Sequence, residues 1–318
     1  REHGYGSAGR HSGDKLSRGE GVVVARKTDI FDRQFLSNLQ RLSIAVKRPF
    51  KGALKGEKRS PKRGTSIEFA DYREYVPGDD FRYIDWVLYG RLDRLYLRLF
   101  EEEEDLFLYI LLDESLSMSF GQPSKFETGQ RLAAALAYIA LTSLNRVQVC
   151  TFSHRLTHRF GPKRGKSSIY PLFDFLAARE PMGPSDLGRS LREFNVTTRR
   201  KGVLVVISDF LFQEGYKDAL APIVGRGFDI GCLQVMDTAE VDPGMEGDLL
   251  LLDSETGEQR EVTMSPAAVR RYRERVSAHN ADLRDWCFRH RANYTLVTTD
   301  MDFRDVVMRY LRLQGFLT

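Results

Sequence analysis

The apolar run at residues 106–112, Leu-Phe-Leu-Tyr-Ile-Leu-Leu, is closed abruptly by Asp113. It shows no period-two alternation, so a strand built from it has two apolar faces and needs cover on both. A parallel sheet with helices above and below supplies that cover. The rest of the chain carries the parts: helical periodicity at 126–144, a strand pattern at 147–152, helices at 169–178 and 187–194, and a strand at 203–207. A helix at 216–224, a strand at 229–235, a helix at 266–290 and a strand at 294–297 follow. Strands alternating with long helices imply right-handed crossovers. The expected fold class is therefore α/β, a doubly wound, mainly parallel sheet of Rossmann-like type.

Ahead of the sheet the chain differs in style and charge. Residues 1–64 hold 16 Lys+Arg against 6 Asp+Glu, whereas the whole chain has a net charge of only +4. Residues 1–22, rich in Gly, Ser, Arg and His, lack hydrophobic periodicity and read as a disordered tail. Residues 23–105 read as an N-terminal helix from Thr28 to Ile44, a basic connector and a small, partly β subdomain with strand alternation at 66–72 and 92–100 and a type II turn at Val76-Pro77-Gly78-Asp79. The main domain is placed at 106–318, with an insertion at about 238–264. Lys47, Arg48, Lys51, Lys55, Lys58, Arg59, Lys62 and Arg63 face only Glu57. That density suits phosphate contacts, which makes a nucleic-acid-associated protein the alternative function. A solvated connector explains the same charges, and no aromatic ladder or zinc-finger, helix-turn-helix or KH-type signature accompanies them, so nucleic acid is disfavoured as a partner.

Several classes lose support early. With 42% hydrophobic and 29% charged residues the composition is globular. The longest wholly apolar run is far short of the roughly 20 residues that cross a bilayer, and no signal-peptide pattern is seen, so no membrane span and a cytoplasmic location are expected. Cys150, Cys232 and Cys287, odd in number and set among apolar residues, are expected as buried thiols.

Ligand sites in doubly wound sheets lie at the carboxyl ends of the strands. Two such ends carry carboxylates. Asp113-Glu114-Ser115-Leu116-Ser117 presents a carboxylate and two hydroxyls at alternate positions, and Ser208-Asp209-Phe210 follows the 203–207 strand. Between them, Gly183-Pro184-Ser185-Asp186-Leu187 opens a helix, with Ser185 or Asp186 able to cap it. Few, hard oxygen donors from three loops suit Mg²⁺, or else Mn²⁺ or Ca²⁺.

At these residues the chain resembles a von Willebrand factor type A domain with its metal-ion-dependent adhesion site. The resemblance implies metal ligation by Asp113, Ser115, Ser117, Ser185 and Asp209, with a partner carboxylate filling the open position. Ser185 stands where that family usually has threonine, which keeps the hydroxyl but loses a methyl and some rotamer stiffness. Asp186 is the alternative, although as a helix-opening residue it has a structural explanation.

A second, narrower resemblance rests on Gly64-Thr65-Ser66-Ile67-Glu68-Phe69 and the segment from Asp71-Tyr72-Arg73 through Val76-Pro77-Gly78-Asp79-Asp80 to Tyr83-Ile84-Asp85-Trp86. This is similar to the hallmark of the bacterial family catalogued as domain of unknown function 58, and the 253–258 stretch is similar to its late insertion. The likeness spans about residues 45 to 300. It implies an adaptor that works with a MoxR-type AAA+ ATPase in chaperone-like assembly or metal insertion of an unknown client protein.

Arg73, Arg82, Asp85 and Trp86 lie in that segment among further acids and aromatics. They are expected either to dock the small subdomain on the sheet or to form a partner-binding face, where Arg, Tyr and Trp are frequent anchors. Docking is the preferred expectation, with Trp86 buried. Enzymatic function is not expected, because there is no Gly-x-Ser-x-Gly elbow, phosphate loop or dinucleotide fingerprint. A metallohydrolase ranks last. Cys150, His154 and His158 are four apart, but on a strand and its hairpin that spacing does not converge on a metal. The acidic run 101–105 reads as a solvated connector.

Overall fold

The computed structural model describes residues 67–102, 106–212, 214–244, 247–252 and 259–310. The expected tail at 1–22, helix at 28–44, basic segment at 47–63 and insertion stretch at 253–258 lie outside these residues. In chain order the principal elements begin with β1 (Ile67–Glu74), α1 (Trp86–Leu92), β2 (Tyr96–Glu102), β3 (Phe107–Asp113), α2 (Lys125–Thr142) and β4 (Arg146–Phe152). Then come β5 (Leu156–Arg164), α3 (Ile169–Ala177), α4 (Leu187–Thr197), β6 (Val203–Ser208), α5 (Lys217–Gly225) and β7 (Asp229–Met236). The one-turn α6 (Thr238–Val241), β8 (Gly247–Leu252), β9 (Gln259–Met264), α7 (Pro266–Arg289) and β10 (Asn293–Thr298) follow.

Six strands form the central sheet in the order β10-β7-β6-β3-β4-β5. All neighbours are parallel except β5, which runs antiparallel to β4 as an edge extension. Every residue of β3 is buried, which is what an apolar run without alternation requires. Leu108, Ile110 and Leu112 enter one core with α2 and α3, while Phe107, Tyr109 and Leu111 enter the other with α4, α5 and α7. The sheet is thus covered on both faces. It is a mixed α/β fold with a mostly parallel sheet, as the sequence pattern predicts.

α2 is the central helix, and its sequence explains its closeness to the sheet. Ser124 caps it in a reciprocal box with Glu127, and the Ala133–Ala135 stretch and Ala137 keep its buried face low. At Gly129 even a methyl group would come within 2.8 Å of Leu112 Cδ1 and 3.3 Å of Ile207 Cγ2. Glycine therefore lets the first turns of α2 press on the carboxyl ends of β3 and β6. That contact carries Lys125 to the same edge.

The small N-terminal unit is an antiparallel β1–β2 pair with α1 between its strands in sequence. Gly78 has φ +109° and the Asp79 N–H donates to Val76 O at 3.0 Å, which is the expected type II turn. Asp85 ties the unit together. Its Oδ1 caps α1 by accepting from the Val87 and Leu88 N–H groups, and its Oδ2 accepts from Tyr72 OH at 2.9 Å and Arg98 Nε at 2.8 Å. The Arg98 guanidinium, then the Leu88 N–H, hold this carboxyl far below the usual carboxylate range.

Three expectations need correction here. A strand at 92–100 is too long at its start, because Leu92 ends α1 and Asp93 takes a left-handed φ of +52° at its C-cap. The acidic run at 101–105 is not wholly a connector, since Glu101 and Glu102 belong to β2 and pair with Glu68 and Ile67. Nor does Trp86 bury itself between subdomain and sheet: it is 62% exposed, and Phe81, Tyr83 and Val87, near it in sequence, are exposed too. Arg73, near the end of β1, pairs with Asp79 at 2.8 Å and Arg82 with Asp80, both within the segment 73–82. The β8–β9 hairpin lies within the expected insertion at 238–264.

Candidate functional site

β3 and β6 are neighbours in register, with Leu112 opposite Ile207, so the residues that follow them, Asp113 and Ser208-Asp209, emerge side by side. Asp113 is fully buried. Its Oδ1 accepts from the Ser115 N–H at 2.9 Å, and its Oδ2 accepts from Ser208 Oγ at 2.7 Å and from Ser185 Oγ at 3.4 Å. Ser115 Oγ and Ser117 Oγ lie 3.1 Å apart, and Ser117 Oγ donates to Asp209 Oδ2 at 3.0 Å. All five residues expected from sequence therefore meet in one hydrogen-bonded cluster.

Backbone bonds fix the loops that bear them. The Leu116 N–H donates to Gly183 O at 2.9 Å, and the Asp186 N–H to Ser153 O at 2.8 Å. Ser185 and Asp186 part ways here: Asp186 caps α4 by accepting from the Arg189 N–H at 2.7 Å, while Ser185 Oγ donates to Asp113 Oδ2. Asp209 is held by the Leu211 N–H on Oδ1 and by Gln234 Nε2 on its backbone carbonyl.

Burial, and next the nearby Asp209 charge, push the Asp113 carboxyl up to about 7, against the hydrogen bonds from Ser115 and Ser208. Two buried carboxylates face one another across hydroxyl oxygens. The carboxylate and hydroxyl donors of this set, hard and all oxygen, are of the kind that suits a divalent cation of the Mg²⁺ type. Among the described residues no group of three or more His, Cys, Asp or Glu is placed to hold a metal ion of any kind, so the cluster's donors are two carboxylates and hydroxyls. His158 Nδ1 instead lies 3.3 Å from Glu114 Oε1 and from Thr151 Oγ1, His154 Nδ1 lies 3.3 Å from Ser153 Oγ, and the three cysteines are free and buried.

Sequence reasoning missed three participants. Ser208 was visible only as the neighbour of Asp209. Lys125, 1% exposed, places Nζ 2.8 Å from Asp209 Oδ2 and 2.6 Å from Glu240 Oε1. Burial opposes the Lys125 charge, but the Asp209 and Glu240 carboxylates outweigh it and raise its pKa. A cleft of about 1010 Å³ opens beside this ion-paired group, lined among others by Ser117, Phe120, Lys125, Asp209, Asp237, Glu240 and Asp300. A lysine opening the helix after the first strand loop was the one available signal.

Fold and cluster together make this a doubly wound α/β protein with a carboxylate and hydroxyl site on the carboxyl edge of its sheet. Within that class the chain belongs to the family described as "Protein of unknown function DUF58", whose profile matches residues 71–282. It is 26% identical over 289 residues to an uncharacterized protein of Mycobacterium bovis, covering 89% of this chain and 90% of that protein. An uncharacterized protein of Mycobacterium avium is 29% identical over 135 residues, 42% of this chain and 79% of that one. Similar solved structures include the conserved hypothetical protein BatB from Bacteroides thetaiotaomicron, with TM-score 0.40 and 15% identity over 66% of this chain and 98% of that one. An aerotolerance-related membrane protein from Bacteroides fragilis has TM-score 0.41 and 18% identity at the same coverages. Among the described residues of the present chain no helix is long and apolar enough to cross a membrane.

Proposed function

We propose that this chain is a non-enzymatic, metal-dependent protein-interaction module of von Willebrand A type, with Asp113, Ser115, Ser117, Ser185 and Asp209 as its adhesion-site ligands. It acts in the cytoplasm as an adaptor to an AAA+ ATPase of MoxR type, in chaperone-like assembly or metal insertion of a client. The observation that carries the first part is the convergence of those five oxygen donors from three loops at one sheet edge. The partner class is supported only by the resemblance of residues 64–86 and the Asp113 loop to their family.

A bound Mg²⁺ supplies residual positive charge and an exchangeable water that a partner carboxylate can replace. The chain's part is to hold the donors still. Asp113 is fixed from both sides by Ser115 and Ser208, so this carboxylate is in place before an ion arrives. An acyl-transfer role would need a base on one of the serines, yet Ser115 and Ser117 bond each other, and Ser117 bonds a carboxylate that already carries a lysine. Calorimetric titration of the metal-stripped chain with Mg²⁺ or Mn²⁺ should show one modest-affinity site in wild type and no heat of binding in Asp113→Ala. An unchanged isotherm in that variant would sink the assignment.

The exposed Trp86 belongs to the same reading. Its ring meets Tyr89 edge-on at 6.2 Å between centroids, and Phe81 and Val87, close to it in sequence, are exposed as well. Exposed apolar side chains that gather in patches mark interfaces, and Trp and Arg are frequent anchors there. Trp86→Ala should therefore change stability by less than about 1 kcal/mol, the range of an exposed site. Partner capture should weaken at least tenfold, about 1.4 kcal/mol. A melting temperature that drops by many degrees would assign Trp86 to the fold instead.

A further inference from the structure

The ammonium group of Lys125 lies inside the oxygen cluster, at a place where a cation is costly twice over. Lys125 is the first residue of α2, where the helix dipole disfavours positive charge, and it is almost completely withdrawn from water. Only its two carboxylate partners offset those costs. Asp209 Oδ2 receives Nζ at 2.8 Å together with Ser117 Oγ at 3.0 Å. Glu240 Oε1 receives it at 2.6 Å. Glu240 is itself anchored, for Oε2 accepts from the Asp237 N–H at 2.9 Å and its backbone carbonyl accepts from Tyr272 OH, on α7, at 2.9 Å.

We propose that Lys125 is a built-in competitor for the divalent cation at Asp209, and that Glu240 sets how strongly it competes. This rests on the reading of the cluster as a cation site. An ammonium that occupies Asp209 Oδ2 neutralises one of the two carboxylates and repels a second cation arriving within a few ångströms. Affinity is thereby held down and the ion kept exchangeable. Glu240 shares the same ammonium, so it draws positive charge off Asp209 and leaves that carboxylate more available. The two residues touch each other, yet their removal has opposite consequences for the metal. A merely structural ion pair would not behave in that way, because losing either half loosens the same contact.

Metal-stripped full-length wild type, Lys125→Met, Glu240→Gln, the Lys125→Met/Glu240→Gln pair and Asp113→Ala are titrated calorimetrically with Mg²⁺ and Mn²⁺, each checked for native near-ultraviolet dichroism. Lys125→Met should bind on the order of tenfold more tightly than wild type. Glu240→Gln should bind several-fold more weakly. Where Lys125→Met fails to fold because two acids are left unpaired, the double variant leaves Asp209 alone and must bind more tightly than wild type. A folded Lys125→Met, or in its place the double variant, that titrates like wild type or more weakly overturns the proposal, as does a Glu240→Gln that binds more tightly. Failure of the cluster as a cation site reads differently: neither wild type nor any lysine variant then gives heat with either ion. A silent wild type beside a binding Lys125→Met supports the competition in its strongest form.

Discussion

Capture of a MoxR-type AAA+ ATPase from the native host should occur with wild type in Mg²⁺ and be lost both in EDTA and with Ser115→Ala. The expected loss is on the order of a hundredfold, the scale of truncating one partner of a buried charge-assisted contact. Ser115 is a good choice of variant because its hydroxyl lies in the cluster, 3.1 Å from Ser117 Oγ and in reach of the Asp113 carboxyl, while its backbone N–H, which holds the loop on Asp113, survives the substitution. Removing one hydroxyl therefore takes away a donor and spares the loop. The rival view is that a bound ion merely staples the three loops together. In that case chelation lowers the melting temperature, and capture fails only where the protein has unfolded. Melting curves run beside the four captures, wild type and Ser115→Ala each with Mg²⁺ and with EDTA, separate the two. Equal capture under all four conditions, with every sample folded, would rule out metal-bridged recognition and move the interaction to another surface, for which the exposed Trp86 patch is the first choice.

The parts of the molecule legible in its sequence are those where one residue pattern has one physical solution. The 106–112 run had to be buried on both faces, and β3 is. The helices and strands that follow it lie within a few residues of their periodicity, because long amphipathic or wholly apolar stretches leave little freedom. Asp113, Ser115, Ser117 and Asp209 could be found because strand ends locate them, and strand ends follow from the apolar runs. Ser185 against Asp186 could not be settled that way, since either can cap a helix and only the loop's path shows which one turns toward Asp113. α1 escaped notice because it is short and exposed, with no buried residue to impose a period. Trp86 was misjudged for a related reason. Aromatic residues among paired charges look alike whether they close a core or face a partner, and only exposure tells them apart. Lys125 and Glu240 are far apart in sequence, so their meeting at Asp209 is a property of the sheet order and of Gly129, which lets α2 approach.

The metal-stripped protein should become more stable as the pH is lowered from about 7.5 to about 5, and saturating Mg²⁺ should flatten or reverse that slope. The reason is Asp113, whose carboxyl is raised from an ordinary 3.8 to about 7 by burial and by the charge of Asp209. A group raised in the folded state binds its proton more tightly there than in the unfolded chain. Its contribution is therefore fully present below its unfolded pKa and is lost as the pH rises through about 7. At about 1.4 kcal/mol per pKa unit the full effect is roughly 4 kcal/mol at most, enough to move the melting temperature by several degrees. Asp79, Asp85, Asp282 and Asp300 are shifted the other way, downward, so their contributions are lost only as the pH falls through and below the ordinary carboxylate range. They do not mask the slope in this window. On the proposed reading Mg²⁺ would flatten or reverse the slope because it would be held by the ionised carboxylate: the proton would then compete with the ion, and acidification would remove a ligand instead of relieving a buried charge. Asp113→Asn supplies the control, since its side chain keeps much of the shape and carries no proton to titrate. Wild type and Asp113→Asn should differ in slope without metal. If their melting temperatures run parallel across the whole range, Asp113 is not the group that carries the excess charge of the cluster, and the case for a cation beside it weakens accordingly.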